Sequence, residues 1–253
     1  MSAARRFSAV FAVFAAGWVG LSTADTLRAA EPAPAHLAGA IELLRALSPE
    51  QTDYQHKQGT VIWPGDPAGT PQCRTDCSGF IDALLKHAYG LKSAQLKEWF
   101  GTGRPLAKHY YATIAAEHGF RRIPTLAQVR PGDLLAITYP AGSTNTGHVM
   151  LLAGAPRPRD ATAPIVAGTR QWEVTIIDES ESGHGKTDTR RNPDKSMRDG
   201  LGRGVLRIYT NAAGHIAGYA WSTLKVSKFE SVTTHPFVVG RLDPEFLKSL
   251  ASR

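Results

Sequence analysis

The sequence predicts an α+β protein in which early helices cover an antiparallel sheet of about six strands. Two observations predict it. Apolar residues recur at helical spacing as far as His118, whereas from Leu134 onward short runs rich in Val, Ile and Leu take over. Helices first and strands afterwards is the order of a sheet covered by a helical layer, not of alternating βαβ units. The 253-residue chain is long enough for one sizeable core, and no internal repeat is visible.

At the N-terminus, Arg5-Arg6 precede an uncharged apolar run from Phe7 to Leu21 that is short and Ala-rich for a membrane span. Ser22-Thr23-Ala24 follows, with small residues where a signal peptidase reads. Residues 1–24 therefore read as a secretory signal peptide cleaved after Ala24, with Ala29 or Ala30 as alternatives. No cysteine lies nearby to carry a lipid, and Phe7 directly after the arginine pair departs from the twin-arginine pattern. The protein is thus expected to be exported, to the periplasm or beyond, as a monomer without a stable membrane anchor. Cleavage removes two arginines and no acid from a chain of formal charge +7, so the mature protein stays basic. That charge suits anionic cell-wall polymers or lipid headgroups, or an ordinary solvated surface; no motif supports nucleic-acid binding.

Residues 25–50 form an N-terminal helical segment, with Leu37, Ile41, Leu44 and Leu47 at helical spacing from His36 to Leu47 and Ser48-Pro49 ending the helix. The remaining domain is expected over 51–253. Gln51 to Thr75 is polar and broken by Pro64-Gly65-Asp66-Pro67 and Gly69-Thr70-Pro71, a long loop. Asp76 can cap the next helix, whose stripe Phe80, Ile81, Leu84, Leu85 and Ala88 ends at Gly90. Helical pieces follow over Ser93–Phe100 and Leu106–His118, the latter carrying His109-Tyr110-Tyr111 as a half-buried face. A turn at Pro131-Gly132-Asp133 opens the strands Leu134–Tyr139, His148–Ala153, Glu173–Asp178, Val205–Thr210, Ile216–Trp221 and Pro236–Leu242. Between them, Ser180 to Gly204 is a polar insertion in which Lys186, Arg190, Arg191, Lys195, Arg198 and Arg203 accompany Asp188, Asp194 and Asp199; it reads as an exposed loop.

The two cysteines, Cys73 and Cys77, cannot build a disulfide framework or a closed zinc site, though a bond between them is geometrically conceivable. No metal or cofactor is expected. Cys77 opens a helix, where unpaired N–H groups and the dipole favour an anion and hence a reactive thiolate; a small buried hydrophobe is the plainer alternative. A nucleophilic thiol needs a base. Among nine histidines His148 is best placed, at the start of an apolar strand after Ser143-Thr144-Asn145-Thr146-Gly147, where a purely structural histidine would also fit. Alternation puts Asp178 on the same face as Val174 and Ile176, and a buried carboxylate there needs a partner such as His148. The alternative is a turn residue after a strand ending at Ile177. His184 competes for the third position or is exposed, and exposure is the expectation.

Asp76-Cys77-Ser78-Gly79-Phe80, Pro131-Gly132-Asp133-Leu134 and Gly147-His148-Val149, in that order, resemble the signature of the NlpC-type papain-like cysteine peptidases that cut bacterial cell-wall peptides, and Arg104-Pro105 fits the same layout. The resemblance covers roughly Tyr54 to Ser180. It implies a papain-like fold, peptidoglycan or its peptide fragments as substrate, Cys77 as nucleophile, His148 as base and Asp178 as the third polar residue, where the family usually carries His, Asn or Gln. Tyr54 resembles the tyrosine that holds the reacting carbonyl, although the Trp-Gly-Gly that usually follows is absent; a packing tyrosine fits equally. Tyr54, Asp76 and Ser78 complete the expected site as substrate contacts. Two other functions remain open: an amidase or lipid acyltransferase of another substrate, which would keep the same residues, and a non-catalytic wall-binding or scaffold module. The hairpin after residue 204 lies beyond the resembling stretch and marks an atypical member.

Overall fold

A computed structural model describes residues 32–56 and 59–253; the expected signal peptide lies outside them. Residues 33–253 form one compact unit. Five helices occur among the described residues: α1 (Ala35–Ala46), α2 (Cys77–Tyr89), α3 (Ser93–Phe100), α4 (Ala107–Ala115) and α5 (Pro244–Ala251). None is long and apolar enough to cross a membrane. They accompany a large antiparallel sheet, so the protein is mixed helix and sheet, as its element order predicts.

That sheet has nine strands, not six. Along it run β11 (Phe229–Ser231), β10 (Ile216–Ala220), β9 (Gly200–Thr210), β8 (Arg170–Ser180), β6 (Gly147–Leu152), β5 (Leu134–Thr138), β12 (Phe237–Leu242) and β4 (Phe120–Arg122), with β7 (Arg157–Pro158) paired to β8. The extra strands are short edge pieces of two or three residues, too brief to show a period. The loop expected over 51–75 is also corrected. It folds into a small sheet of β1 (Thr52–Tyr54), β2 (Thr60–Ile62) and β3 (Gln72–Thr75), with β3 central, parallel to β1 and antiparallel to β2.

Strands β5 and β6 read as nearly continuous apolar runs because both faces of the sheet are buried. Leu134, Ala136, Val149, Leu151 and Ile177 pack with Phe80, Ile81, Leu84 and Leu85 of α2. Leu135, Ile137, Met150, Leu152, Val174 and Ile176 form a second core with Ile123, Leu126 and Tyr219. Each such side chain contributes about 1.5–3 kcal/mol by leaving water, so the centre of the sheet is the firmest platform in the molecule.

The Pro-Gly-Asp turn belongs to this platform. Asp133 is buried and its carboxylate accepts from Arg241 of β12 (2.7 and 2.9 Å) and from the Arg130 N–H (2.8 Å). Gly132 O lies 2.6 Å from His36 Nε2, which ties α1 to the mouth of β5.

Candidate active site

The site grows from the first turn of α2. Asp76 is extended and caps the helix by accepting the Gly79 N–H (2.8 Å), which leaves the N–H groups of Cys77 and Ser78 without an intrahelical acceptor. Arg104 locks the turn: it donates to Asp76 Oδ1 (2.6 Å), Ser78 Oγ (2.9 Å) and Asp82 Oδ2 (3.0 Å). Tyr110, fully buried and not half-buried as its neighbours His109 and Tyr111 are, donates to the other Asp82 oxygen (2.6 Å). The glycine of Asp-Cys-Ser-Gly follows from this crowding, since a Cβ at Gly79 would lie 2.0 Å from Thr75 Oγ1 and 2.7 Å from Arg104 Nη2. Asp76 and Ser78 thus spend their side chains holding the turn while lining the adjoining pocket. Both cysteines are free thiols.

His148 comes from β6. Gly147 before it adopts φ +145°, and a Cβ there would meet Ile137 O at 1.9 Å, so the strand can begin at this point only with glycine. The pairing of Leu151 with Ile177 and Leu152 with Ile176, continued toward the strand ends, sets His148 and Asp178 on one face a diagonal apart. His148 Nε2 lies 2.7 Å from Asp178 Oδ2, and the Cys77 side chain acts electrostatically on the same ring. Cys77 and His148 are each about 4% exposed and Asp178 is fully buried. Burial works against the charged imidazole. The negative charge of Cys77 and the hydrogen bond and charge of Asp178 outweigh it and push the His148 pKa up to about 10.

Asp178 is held well below the usual carboxylate range in spite of its burial, by the charges of His184 and Arg190 and by hydrogen bonds from His148 and His184. The expected exposure of His184 is overturned. Its side chain is completely buried, with Nε2 3.0 Å from Asp178 Oδ2 and Nδ1 2.7 Å from the Trp221 carbonyl. It stands behind the carboxylate as a second partner and does not replace Asp178. The expected exposed loop over 180–204 is corrected with it. Ser180 and residues 200–204 are strand, and His184, Asp188 and Arg190 of the connection are buried.

Arg190 was not foreseeable from composition. It donates to Asp178 Oδ1 (3.0 Å) and Asp188 Oδ2 (2.8 Å), and its other terminal nitrogen reaches the carbonyls of Asp178 and Gly200. A signal for this inward fold does exist in the sequence. Gly200, Gly202 and Gly204 alternate along β9, opposite Ser180, Asp178 and Ile176. A Cβ at Gly202 would strike Arg190 Nε at 2.4 Å, and one at Gly204 would strike Asp188 and His184 at 2.5 Å. The bare glycine face is the space into which Arg190 and His184 lie.

Tyr54 lines a pocket of about 210 Å³ with Cys77, Ser78, Leu106, Asn145 and Gly147. Burial, and then the charges of Cys77 and Asp76, push its phenol pKa well up, so it remains a hydroxyl donor. Asn145, in the loop before His148, is a site residue the sequence did not single out. Among the described residues no group of three His, Cys, Asp or Glu side chains is arranged to hold a metal ion.

A thiol at the head of a helix and lining a pocket, together with an imidazole hydrogen-bonded to a carboxylate, defines a candidate Cys-His-Asp site on a mixed helix-and-sheet protein. An uncharacterized protein of Acanthamoeba polyphaga mimivirus is 39% identical over 228 residues, which cover 83% of this chain and 97% of the viral one. The chain belongs to the family of that viral protein. No protein-family model and no solved structure matches it.

Proposed function

We propose that this protein is an exported papain-like cysteine hydrolase that cuts an amide bond in peptidoglycan stem peptides. The observation that carries the reading is a buried His148 hydrogen-bonded to Asp178 and electrostatically coupled to Cys77, beside a pocket that Cys77 lines. The ordered resemblance of the motifs around Cys77, Asp133 and His148 supports the substrate class.

In the reaction the His148 imidazolium stabilises a Cys77 thiolate, which attacks the amide carbon. The free N–H groups at the start of α2 receive the oxyanion, each worth roughly 3 kcal/mol in comparable sites. His148 then gives its proton to the leaving amine as the C–N bond breaks, leaving a thioester on Cys77. Water, deprotonated by His148, attacks the thioester, and a carboxylate product and the thiolate are released. Asp178 holds the imidazole in the orientation both steps need.

Incubation with purified cell wall tests the reading. Peptides with newly formed termini should be released by the wild-type protein and not by Cys77→Ala or His148→Ala. Release by Cys77→Ala at the wild-type rate refutes the assignment, and transfer of an acyl group to an added lipid or amine acceptor in place of water would make the protein an acyltransferase.

A further inference from the structure

A second pocket, of about 200 Å³, lies among Tyr139, Tyr219, Trp221, Lys228, Glu230 and His235, and shares no residue with the first. Apart from Tyr139 its residues come from the chain beyond residue 204, past the stretch that carries the family resemblance. Its inner wall is the catalytic histidine's own neighbour: the Trp221 ring meets the His148 imidazole edge to face with centroids 5.0 Å apart, and meets His184 at 4.5 Å. Tyr139 follows β5, whose Ile137 pairs with His148, and the charges of Cys77 and Asp178 reach its phenol.

Chemistry assigns this position. The group that protonates a leaving amine must stand within hydrogen-bond reach of it, so the part of a substrate that departs with the amine lies beside His148. Trp221 packs on the His148 ring and lines the second pocket, whereas Tyr54, Ser78 and Leu106 line the first pocket with Cys77. The polar groups of the second pocket are mostly donors in want of acceptors. Lys228 has no ion-pair partner among the described residues, and the Tyr139 and Tyr219 hydroxyls make no hydrogen bond within the described protein. Burial raises both phenol pKa values, that of Tyr139 to about 12, so both hydroxyls keep their protons. Glu230, the pocket's carboxylate, is already engaged by His235 Nδ1 at 2.9 Å.

We propose that the pocket of Tyr139, Tyr219, Trp221 and Lys228 receives the leaving-group side of the substrate and recognises a carboxylate on it. The inference rests on the amide-hydrolase reading for its direction but not for the binding itself. Two phenol hydroxyls and an ammonium line the one pocket as donors for the ligand's carboxylate oxygens, with Trp221 as its apolar wall. Hydrogen bonds to a charged group are typically worth enough to change affinity roughly 10- to 100-fold.

The test uses the full chain carrying Cys77→Ala, so that binding is read without turnover. The probes are a synthetic stem peptide with its carboxylates free and the same peptide with each converted to a carboxamide, titrated calorimetrically. The free acid should bind roughly 10- to 100-fold more tightly. Adding Lys228→Met should remove that preference without weakening the amide form, while Lys225→Met, an exposed lysine outside the pocket, should change neither. Equal binding of the two peptides, equal losses in the two lysine variants, or no binding overturns the proposal. Cleavage by wild-type protein without carboxylate preference would sink the pocket and spare the hydrolase. A Lys228-dependent preference with no cleavage would do the reverse.

Discussion

The charge state of His148 is the most direct handle on the site because it can be read without a substrate. Its ordinary pKa is 6.5 and in the folded protein it is pushed up to about 10. The difference amounts to roughly 5 kcal/mol in favour of the imidazolium at about 1.36 kcal/mol per pH unit. Since burial opposes charging, the gross contribution of Cys77 and Asp178 exceeds that net value, with the Cys77 charge the larger single favourable part. Removing the sulfur in Cys77→Ala should therefore drop the midpoint by about 1–3 units. The assay is a pH titration of the His148 Cε1–H resonance in the folded protein, assigned by its loss in His148→Ala. Because the folded pKa is raised, the ion pair contributes stability that is complete below pH 6.5 and is lost as the pH rises through about 10. Wild-type and Cys77→Ala stabilities should accordingly converge at the alkaline end. A wild-type midpoint near 6.5 that Cys77→Ala leaves unmoved would refute the coupling, and with it the pre-formed thiolate–imidazolium pair.

Three further perturbations separate the supporting residues. Arg190→Met strands the buried carboxylates of Asp178 and Asp188 and should cost about 3–5 kcal/mol in urea unfolding; a loss below about 1 kcal/mol would mean the arginine does not hold Asp178. Glu179 is completely buried, accepts from Thr52 at 3.3 Å, and has its pKa raised to about 9 by burial, so it folds as the neutral acid. Stability should fall by up to roughly 1.4 kcal/mol per unit as pH rises from about 4.5 toward 9, and Glu179→Gln should flatten that slope; parallel profiles for the two proteins would refute the neutral state. Gly147→Ala forces a Cβ against Ile137 O and should lower stability by a few kcal/mol while slowing iodoacetamide alkylation of Cys77, because the strand that carries His148 must shift. An unchanged alkylation rate would place the rigidity of the site elsewhere.

What the sequence made legible was whatever depends on neighbours in the chain. The α2 cap at Asp76, the apolar stripe ending at Gly90, and the alternation that puts Asp178 beside Val174 and Ile176 all follow from short-range geometry, and each is seen in the structure. The Pro-Gly-Asp turn was also legible, but the use of its carboxylate by Arg241, more than a hundred residues later, was not. The burial of His184 and Arg190 was missed for the same reason. A polar, basic connection carries no periodicity, and its composition alone is that of a solvated loop. The relevant information sat in its neighbour, in the alternating glycines of β9, which make sense only once that strand is paired with β8.

The same long-range logic bears on the chain beyond residue 204. It could be regarded as an appendage to a catalytic unit ending near Ser180, since the motifs all lie before that point. The structure argues otherwise. Arg190 reaches Asp178 across β9, the Trp221 carbonyl accepts from His184, and the Trp221 ring packs on His148, so the carboxylate end of the triad is built from residues on both sides of Ser180. The viral relative agrees. Its identity spans 83% of this chain, more than residues 1–180 can supply, so the shared unit extends into the C-terminal strands. A carboxylate buried in a dry interior needs a cation and a cover, and in this chain Arg190 supplies the first and Trp221, packed on His148 and His184, the second. Truncation after Thr210 should therefore expose the His184 ring and open the face of His148 that Trp221 covers.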